Sequence, residues 1–300
     1  MTKWTGVLPA VTTKFTADDK LDIAEMERCF KFQLDAGIHG LIVAGSLGEA
    51  STLEPEEKIE VLKVALRVAE GKVPVLLTVA QGSTRNACKL AEDGAKAGAA
   101  GFMVLPGIPY KSEPRETAAH YRTVAKAGGL PVMIYNNPVA YGVDIPPAML
   151  AELGDEPLFT AIKESSDDIR RISEIKSLCG DRFAVLTGVD NLALESLAMG
   201  ADGWVAGLVV AYPKETVAIY ELAKAGRMAE AIAIYRWFRP LLDLDVSARL
   251  VQNIKLVEAV EIGSNDRCRA PRIALEGAER ARITAIVEAA NARRPALPKF

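Results

Sequence analysis

Histidine is nearly missing from this chain: His39 and His120 are the only two among 300 residues. Zinc-dependent catalysis draws on several imidazole ligands, and a Ser-His-Asp hydrolase on one well-placed ring. Both chemistries are disfavoured, and no metal site is expected. His120, within Thr117-Ala118-Ala119-His120-Tyr121, reads as a helix-surface residue, and His39 as part of a turn before a strand. Cysteine is sparse as well. Cys29, Cys88, Cys179 and Cys268 form no close pair, which argues against a zinc site, a redox motif or disulfides. Neither charge dominates: a formal net charge of −3 leaves no electrostatic footprint for nucleic acid or an anionic membrane. No apolar run approaches the ~20 residues of a spanning helix. Residues 1–6 lack the apolar core of a signal peptide, so a cytoplasmic address is expected. A Gly-x-Gly-x-x-Gly turn is also lacking after the first apolar run, where the chain reads Val11-Thr12-Thr13-Lys14-Phe15. A dinucleotide site is therefore not expected.

What the chain does have is regular alternation. Short apolar runs at 6–11, 40–44, 73–79, 101–105, 131–135, 159–163, 183–187 and 203–206 read as buried strands. Amphipathic stretches at 23–36, 55–70, 84–97, 115–126, 146–153, 168–178, 192–199 and 213–224 read as helices between them. Pro55 followed by Glu56 and Glu57 marks a helix start, and Gly37, Gly71, Gly98 and Gly200 mark helix ends. Strand–helix units repeated in this way predict an α/β fold, a (β/α)8 TIM barrel over residues 1–225. Stretches at 228–242, 244–261 and 275–293 predict three more helices with no strands between them. These form a C-terminal helical extension, 226–300, packed on the barrel as part of a single folding unit.

The most informative residue is Lys163. It closes the run Phe159-Thr160-Ala161-Ile162-Lys163 and precedes the polar stretch Glu164-Ser165-Ser166-Asp167-Asp168. An ammonium there is costly to desolvate unless it is paired or gives up its proton. A neutral lysine is the usual nucleophile toward carbonyl carbon; the plain alternative is a side chain that snorkels into solvent. Barrel chemistry belongs at the C-terminal ends of strands, and two further strand ends stand out. Gly45-Ser46-Leu47-Gly48-Glu49 is either a tight turn or a loop whose amides approach an anion closely. Tyr135-Asn136-Asn137-Pro138 places a phenol that either makes a structural hydrogen bond or, with histidine scarce, shuttles protons. Glu49 is equally ambiguous, since an acid ahead of a helix is ordinary.

These three elements, with Ile162-Lys163-Glu164 and Thr187-Gly188-Val189-Asp190, resemble the signatures of the dihydrodipicolinate synthase/N-acetylneuraminate lyase family along essentially the whole chain. The resemblance implies a homotetramer, a dimer of dimers, without metal or organic cofactor. It implies that Lys163 forms a Schiff base with a small 2-oxo acid, that Tyr135 relays protons aided by Ser46, and that the amides of Ser46 and Leu47 hold the substrate carboxylate. Gly45, Asn137, Gly188 and Val205 complete the expected substrate contacts. Departures accompany the matches: Ser46-Leu47 stands where the synthases have two threonines, Ile108 where they have a second tyrosine, and Ala140 where they have an arginine. Losing that arginine removes a fork for a second carboxylate.

The strings Tyr135 to Asp144 and Leu244 to Lys255 are similar to 1-pyrroline-4-hydroxy-2-carboxylate deaminases of hydroxyproline catabolism, whose products are 2,5-dioxopentanoate and ammonia. On that expectation Lys163 attacks C2 of the cyclic imine. The iminium acidifies C3, the C4 hydroxyl leaves, and water hydrolyses the resulting C5 imine, so the chain is expected to be both a lyase and a hydrolase. Asn137, Tyr141 and Tyr110 are candidates for contact with the C4 hydroxyl. Alternatives are a 2-keto-3-deoxy sugar acid dehydratase or aldolase, a dihydrodipicolinate synthase, and a catalytically silent barrel that senses a keto acid.

Overall fold

The structure, a computed structural model, describes residues 4–299; Met1, Thr2 and Lys3, part of the N-terminus read above for a leader, and Phe300 lie outside the described residues. Eight parallel strands are present: β1 (Gly6–Pro9), β2 (Leu41–Val43), β3 (Val75–Val79), β4 (Gly101–Val104), β5 (Val132–Asn136), β6 (Phe159–Glu164), β7 (Ala184–Thr187) and β8 (Gly203–Ala206). They are bonded in the order β1-β8-β7-β6-β5-β4-β3-β2, and a parallel bridge between Ala10 and Ile42 joins the two ends into a barrel. Around it run α1 (Ile23–Asp35), α2 (Pro55–Ala69), α3 (Thr84–Ala97), α4 (Pro114–Gly128), α5 (Pro138–Tyr141), α6 (Pro147–Glu152), α7 (Arg170–Cys179), α8 (Ala193–Ala198) and α9 (Pro213–Lys224). A tail of α10 (Met228–Leu242), α11 (Leu250–Ile262) and α12 (Gly277–Asn291) follows. This is a TIM barrel with a C-terminal helical extension.

Successive side chains on a strand face opposite ways. One set, including Val7, Leu77, Val104, Ile134, Ile162 and Val185, joins the large apolar cluster beneath the helices. The other, including Leu8, Leu76, Met103, Met133, Ala161 and Leu186, plugs the barrel interior. With both faces covered the strands read as unbroken apolar runs, which is why they could be located from sequence. Tyr235, Phe238, Ile254, Val257, Ile283 and Val287 of the tail belong to the same outer cluster. Local chemistry sets the helix ends. In α2, Pro55 occupies the first turn while the Glu54 N–H donates to Glu57 Oε2 at 2.9 Å. In α3, Ser83 accepts from the Asn86 N–H at 3.3 Å, and Gly98 ends the helix at φ +100°, a left-handed conformation that a side chain disfavours.

Three places differ from the sequence-based expectation. The predicted helix over 244–261 starts only at Leu250. Ser247 Oγ accepts from the Arg249 N–H at 3.1 Å, and Asn253 Nδ2 donates to Ser247 Oγ and to the Leu244 carbonyl, both at 3.0 Å. Such local side-chain bonds compete with helical ones, leaving 244–249 as a loop. Conversely, the turn α5 was not anticipated; Asn137 caps it by accepting from the Ala140 N–H at 2.9 Å. His120 is buried rather than on a helix surface. Its Nε2–H donates to the Leu105 carbonyl at 3.2 Å and Nδ1 accepts from the Thr84 hydroxyl at 2.9 Å.

Two ion pairs with fully buried side chains fasten α11 to the barrel. Lys14 Nζ meets Glu258 Oε2 at 2.6 Å, where Thr12 also donates at 2.9 Å, and Lys255 meets Glu49. Glu49 accepts the Arg269 N–H at 3.0 Å and Lys255 donates to the Arg267 carbonyl at 2.6 Å. The ambiguous acid of the sequence is therefore a structural one. Breaking a buried pair strands a charge and typically costs about 3–5 kcal/mol, whereas removing both partners costs far less. Lys255→Met is expected to destabilise the protein by about that amount in denaturant unfolding, and Glu49→Gln added to it should recover most of the loss. An unchanged unfolding midpoint in Lys255→Met would refute the anchor.

Candidate active site

Lys163 enters the barrel from the end of β6, directly opposite Tyr135 of β5 in the parallel register. Its Nζ lies 4.3 Å from the centroid of the Tyr135 ring, and the two residues are only 7% and 6% exposed. The following carboxylate is held away from the amine: Glu164 accepts the Ser166 N–H at 2.7 Å and Asn136 Nδ2 at 2.9 Å. Gly188, just past β7, provides the space for the lysine. A Cβ placed there would lie 2.3 Å from Lys163 Cε and 2.2 Å from Ser165 Oγ, so any side chain at this position would displace the amine.

Burial pulls the Lys163 ammonium below the usual lysine range, against smaller opposing pulls from Tyr141, Asp245 and Asp190. The direction matters. At an ordinary pKa near 10.4 roughly one amine in 2,500 is neutral at pH 7, and each unit of depression multiplies that fraction about tenfold. Burial also pushes the Tyr135 and Tyr141 phenols up, so both remain proton-bearing at neutral pH.

The hydroxyls are arranged differently from the sequence reading. Ser46 Oγ pairs with the hydroxyl of Tyr141 rather than with Tyr135. The Tyr141 ring meets that of Tyr135 edge to face at 5.7 Å, and Tyr135 accepts from Asn137 Nδ2 at 3.2 Å. The loop after β2 is bounded by Ala44 and Glu49, both left-handed at φ +54° and +59°. Each such conformation costs on the order of 1–3 kcal/mol and persists only where its surroundings enforce it. Here the Thr13 hydroxyl donates to the Gly48 carbonyl at 2.7 Å and Lys255 grips Glu49. Among the described residues no acceptor pairs with the N–H groups of Ser46 or Leu47, which leaves two donors together at the loop tip.

These groups surround a cavity of about 620 Å³ at the C-terminal mouth of the barrel. The residues expected to act on the substrate or hold its carboxylate line it: Gly45, Ser46, Leu47, Tyr135, Asn137, Lys163, Gly188 and Val205. Ala140 and Tyr141 line it too, whereas Tyr110 does not; it is 61% exposed and bonds to Glu116 at 3.0 Å. Two lining residues had no role in the sequence reading. Ser165 presents a buried hydroxyl without a partner among the described residues. Asp245, half-buried, lies on the 244–249 loop and lines the cavity. Periodicity offered no signal for Asp245, since it fell inside a predicted helix. Asp190, by contrast, is spent on structure: its carboxylate accepts from Trp204 Nε1 at 2.9 Å and from the Leu208 N–H at 2.8 Å, fastening the segment after β8. Among the described residues no three His, Cys, Asp or Glu side chains are grouped to hold a metal ion, and no helix is long and apolar enough to cross a membrane.

Residues 3–290 match the Dihydrodipicolinate synthetase family. A 4-hydroxy-tetrahydrodipicolinate synthase of Methanoculleus marisnigri is 33% identical over 242 residues, 79% of this chain and 82% of that protein. A putative dihydrodipicolinate synthetase from Pseudomonas aeruginosa superposes with a TM-score of 0.91 at 29% identity, covering 96% of this chain and all of that one. A prophage protein of the dihydrodipicolinic acid synthase family from E. coli K12, solved in complex with pyruvate, superposes at 0.90 and 26% identity, covering 96% and 99%. One expectation is corrected by these matches. The hydrolase class does not hold, because the family and its synthases work by lyase-type chemistry.

Proposed function

The chain belongs to the dihydrodipicolinate synthetase family, whose members are enzymes of the Schiff-base lyase and aldolase type, and from that premise we propose that Lys163 condenses with a small 2-oxo or cyclic 2-imino acid bearing a single carboxylate. The best-fitting substrate is 1-pyrroline-4-hydroxy-2-carboxylate, converted by dehydration and loss of the ring nitrogen to 2,5-dioxopentanoate and ammonia. One observation carries this reading. Among the described residues lining the cavity Lys163 is the only cation, and it is taken up by the covalent bond. The amides of Ser46 and Leu47 can serve one carboxylate, while Ala140 and Ile108 supply neither cation nor hydroxyl for another.

Neutral Lys163 adds to C2 and the ring nitrogen leaves as the C5 amine. The leaving ring nitrogen takes the Tyr135 proton, and the resulting iminium draws electrons from C3, whose proton returns to the Tyr135 phenolate or passes to a water beside it. The C3–C4 double bond forms as the C4 oxygen departs with the C–O pair. Proton shifts then move the unsaturation to C5; one water cleaves the Lys163–C2 bond and frees the amine, and the released C5 imine gives up ammonia to a second water in solution, leaving 2,5-dioxopentanoate.

A second reading, 4-hydroxy-tetrahydrodipicolinate synthase, is favoured by the names of relatives such as the Methanoculleus protein. It asks the cavity to hold a second carboxylate with no further cation. Purified enzyme should release ammonia from the hydroxypyrroline carboxylate faster than it eliminates water from a 2-keto-3-deoxypentonate or condenses pyruvate with an aldehyde. Faster turnover of either competitor would replace this reading with that reaction. The reading also includes a homotetramer, which sedimentation of the purified protein tests; a monomer at working concentration would remove that part.

A further inference from the structure

Asp245 is an acid inside the cavity with no structural work to do. It comes from the C-terminal extension rather than the barrel, on the loop 244–249. Among the described residues its carboxylate takes part in no hydrogen bond or salt bridge, unlike Asp190 close by, which accepts from Trp204 and from the amides of Gly207 and Leu208. It is seated on Gly207, where a Cβ would come within 2.3 Å of Asp245 Oδ1. The backbone beyond β8 thus leaves room for this one side chain. The other carboxylate lining the cavity, Asp167, is exposed at its rim. A half-buried carboxylate left without a protein partner is free to meet a ligand that enters the cavity.

Resting on the reading of the reaction above, we infer that Asp245 is the general acid for the C4 oxygen, donating its proton as the C4–O bond breaks so that water leaves rather than hydroxide. Atoms and electrons balance without a redox partner. The C3 proton goes to Tyr135 or water, its bonding pair becomes the C3–C4 double bond, and the C–O pair leaves on oxygen, which takes the Asp245 proton. The carboxylate left behind regains a proton as the later intermediates shed theirs. The surroundings favour the required forms: burial and neighbouring Asp190 push the Asp245 carboxyl up, while burial pushes Lys163 down. The two groups pull each other the opposite way, Lys163 drawing the Asp245 carboxyl down and Asp245 drawing the amine up, but burial is the larger influence on each.

The test compares wild type with Asp245→Asn on two substrates, the hydroxypyrroline carboxylate and its 4-fluoro analogue, since fluoride leaves without being protonated. Ammonia release from the hydroxy substrate should fall about 10²-fold, the lower end for loss of a general acid. Fluoride release from the analogue should stay near wild type. Pyruvate with borohydride should still add mass at Lys163, showing an intact fold and nucleophile. Equal losses on both substrates, no loss on either, or a missing pyruvate adduct would each overturn the assignment. Failure of the parent reading looks different: a wild type that traps pyruvate yet releases ammonia from neither substrate removes both claims together.

Discussion

Lys163→Ala is expected to abolish turnover, by on the order of 10⁴-fold or more, as removal of a covalent nucleophile does elsewhere. Borohydride reduction in the presence of pyruvate or substrate should add mass to the wild type and none to the variant. The fold should survive. Because the folded chain holds this amine below its ordinary pKa, the unfolded chain binds the proton more readily, so this group's contribution to stability rises with pH from the depressed value up to about 10.4. At neutral pH it is a liability, and alanine removes it. The same depression sets the pH dependence of trapping: the rate should climb as pH rises through the lowered pKa and then level off. A fully active variant without adduct would dispose of Schiff-base chemistry, whereas an inactive and unfolded one would contradict the stability argument.

Tyr135→Phe should be the next most damaging change. The ring that packs 4.3 Å from Lys163 Nζ and edge-on to Tyr141 is retained, so pyruvate should still be captured. What disappears is the hydroxyl proposed to move protons between C3 and its neighbours. Loss of positioned acid–base help is worth about 10²–10⁴-fold, and it should fall on kcat more than on KM, because the phenol acts after the substrate is bound. If kcat stayed within about threefold of wild type, well short of that range, the proton would travel elsewhere, and Tyr141, paired with Ser46, would be the residue to examine next.

Lys163, Tyr135 and the 45–49 loop were legible in the sequence because each is a polar interruption at the end of an apolar run, and strand ends of a barrel converge on one mouth. Their partners were harder to see. That Ser46 meets Tyr141 depends on α5, a single turn too short to show periodicity. The Glu49–Lys255 pair joins residues 206 positions apart, and no local pattern reports such a distance. Asp245 was misplaced for a specific reason. The apolar spacing of 244–261 satisfies a helix, but Ser247 and Asn253 bind the local backbone and open the first turn and a half into a loop. Pattern was outvoted there by hydrogen-bond chemistry only a folded neighbourhood can display.

That loop divides responsibilities between two parts of the polypeptide. The proposed nucleophile, Lys163, is embedded in the strands, where change is punished by packing, while Asp245 is presented by a six-residue strap, 244–249, tethered by a few polar bonds. Replacing the strap alone would retune which leaving group is handled without disturbing capture of the carbonyl, so new substrate preferences in such a scaffold can be reached by rewriting a short exposed segment.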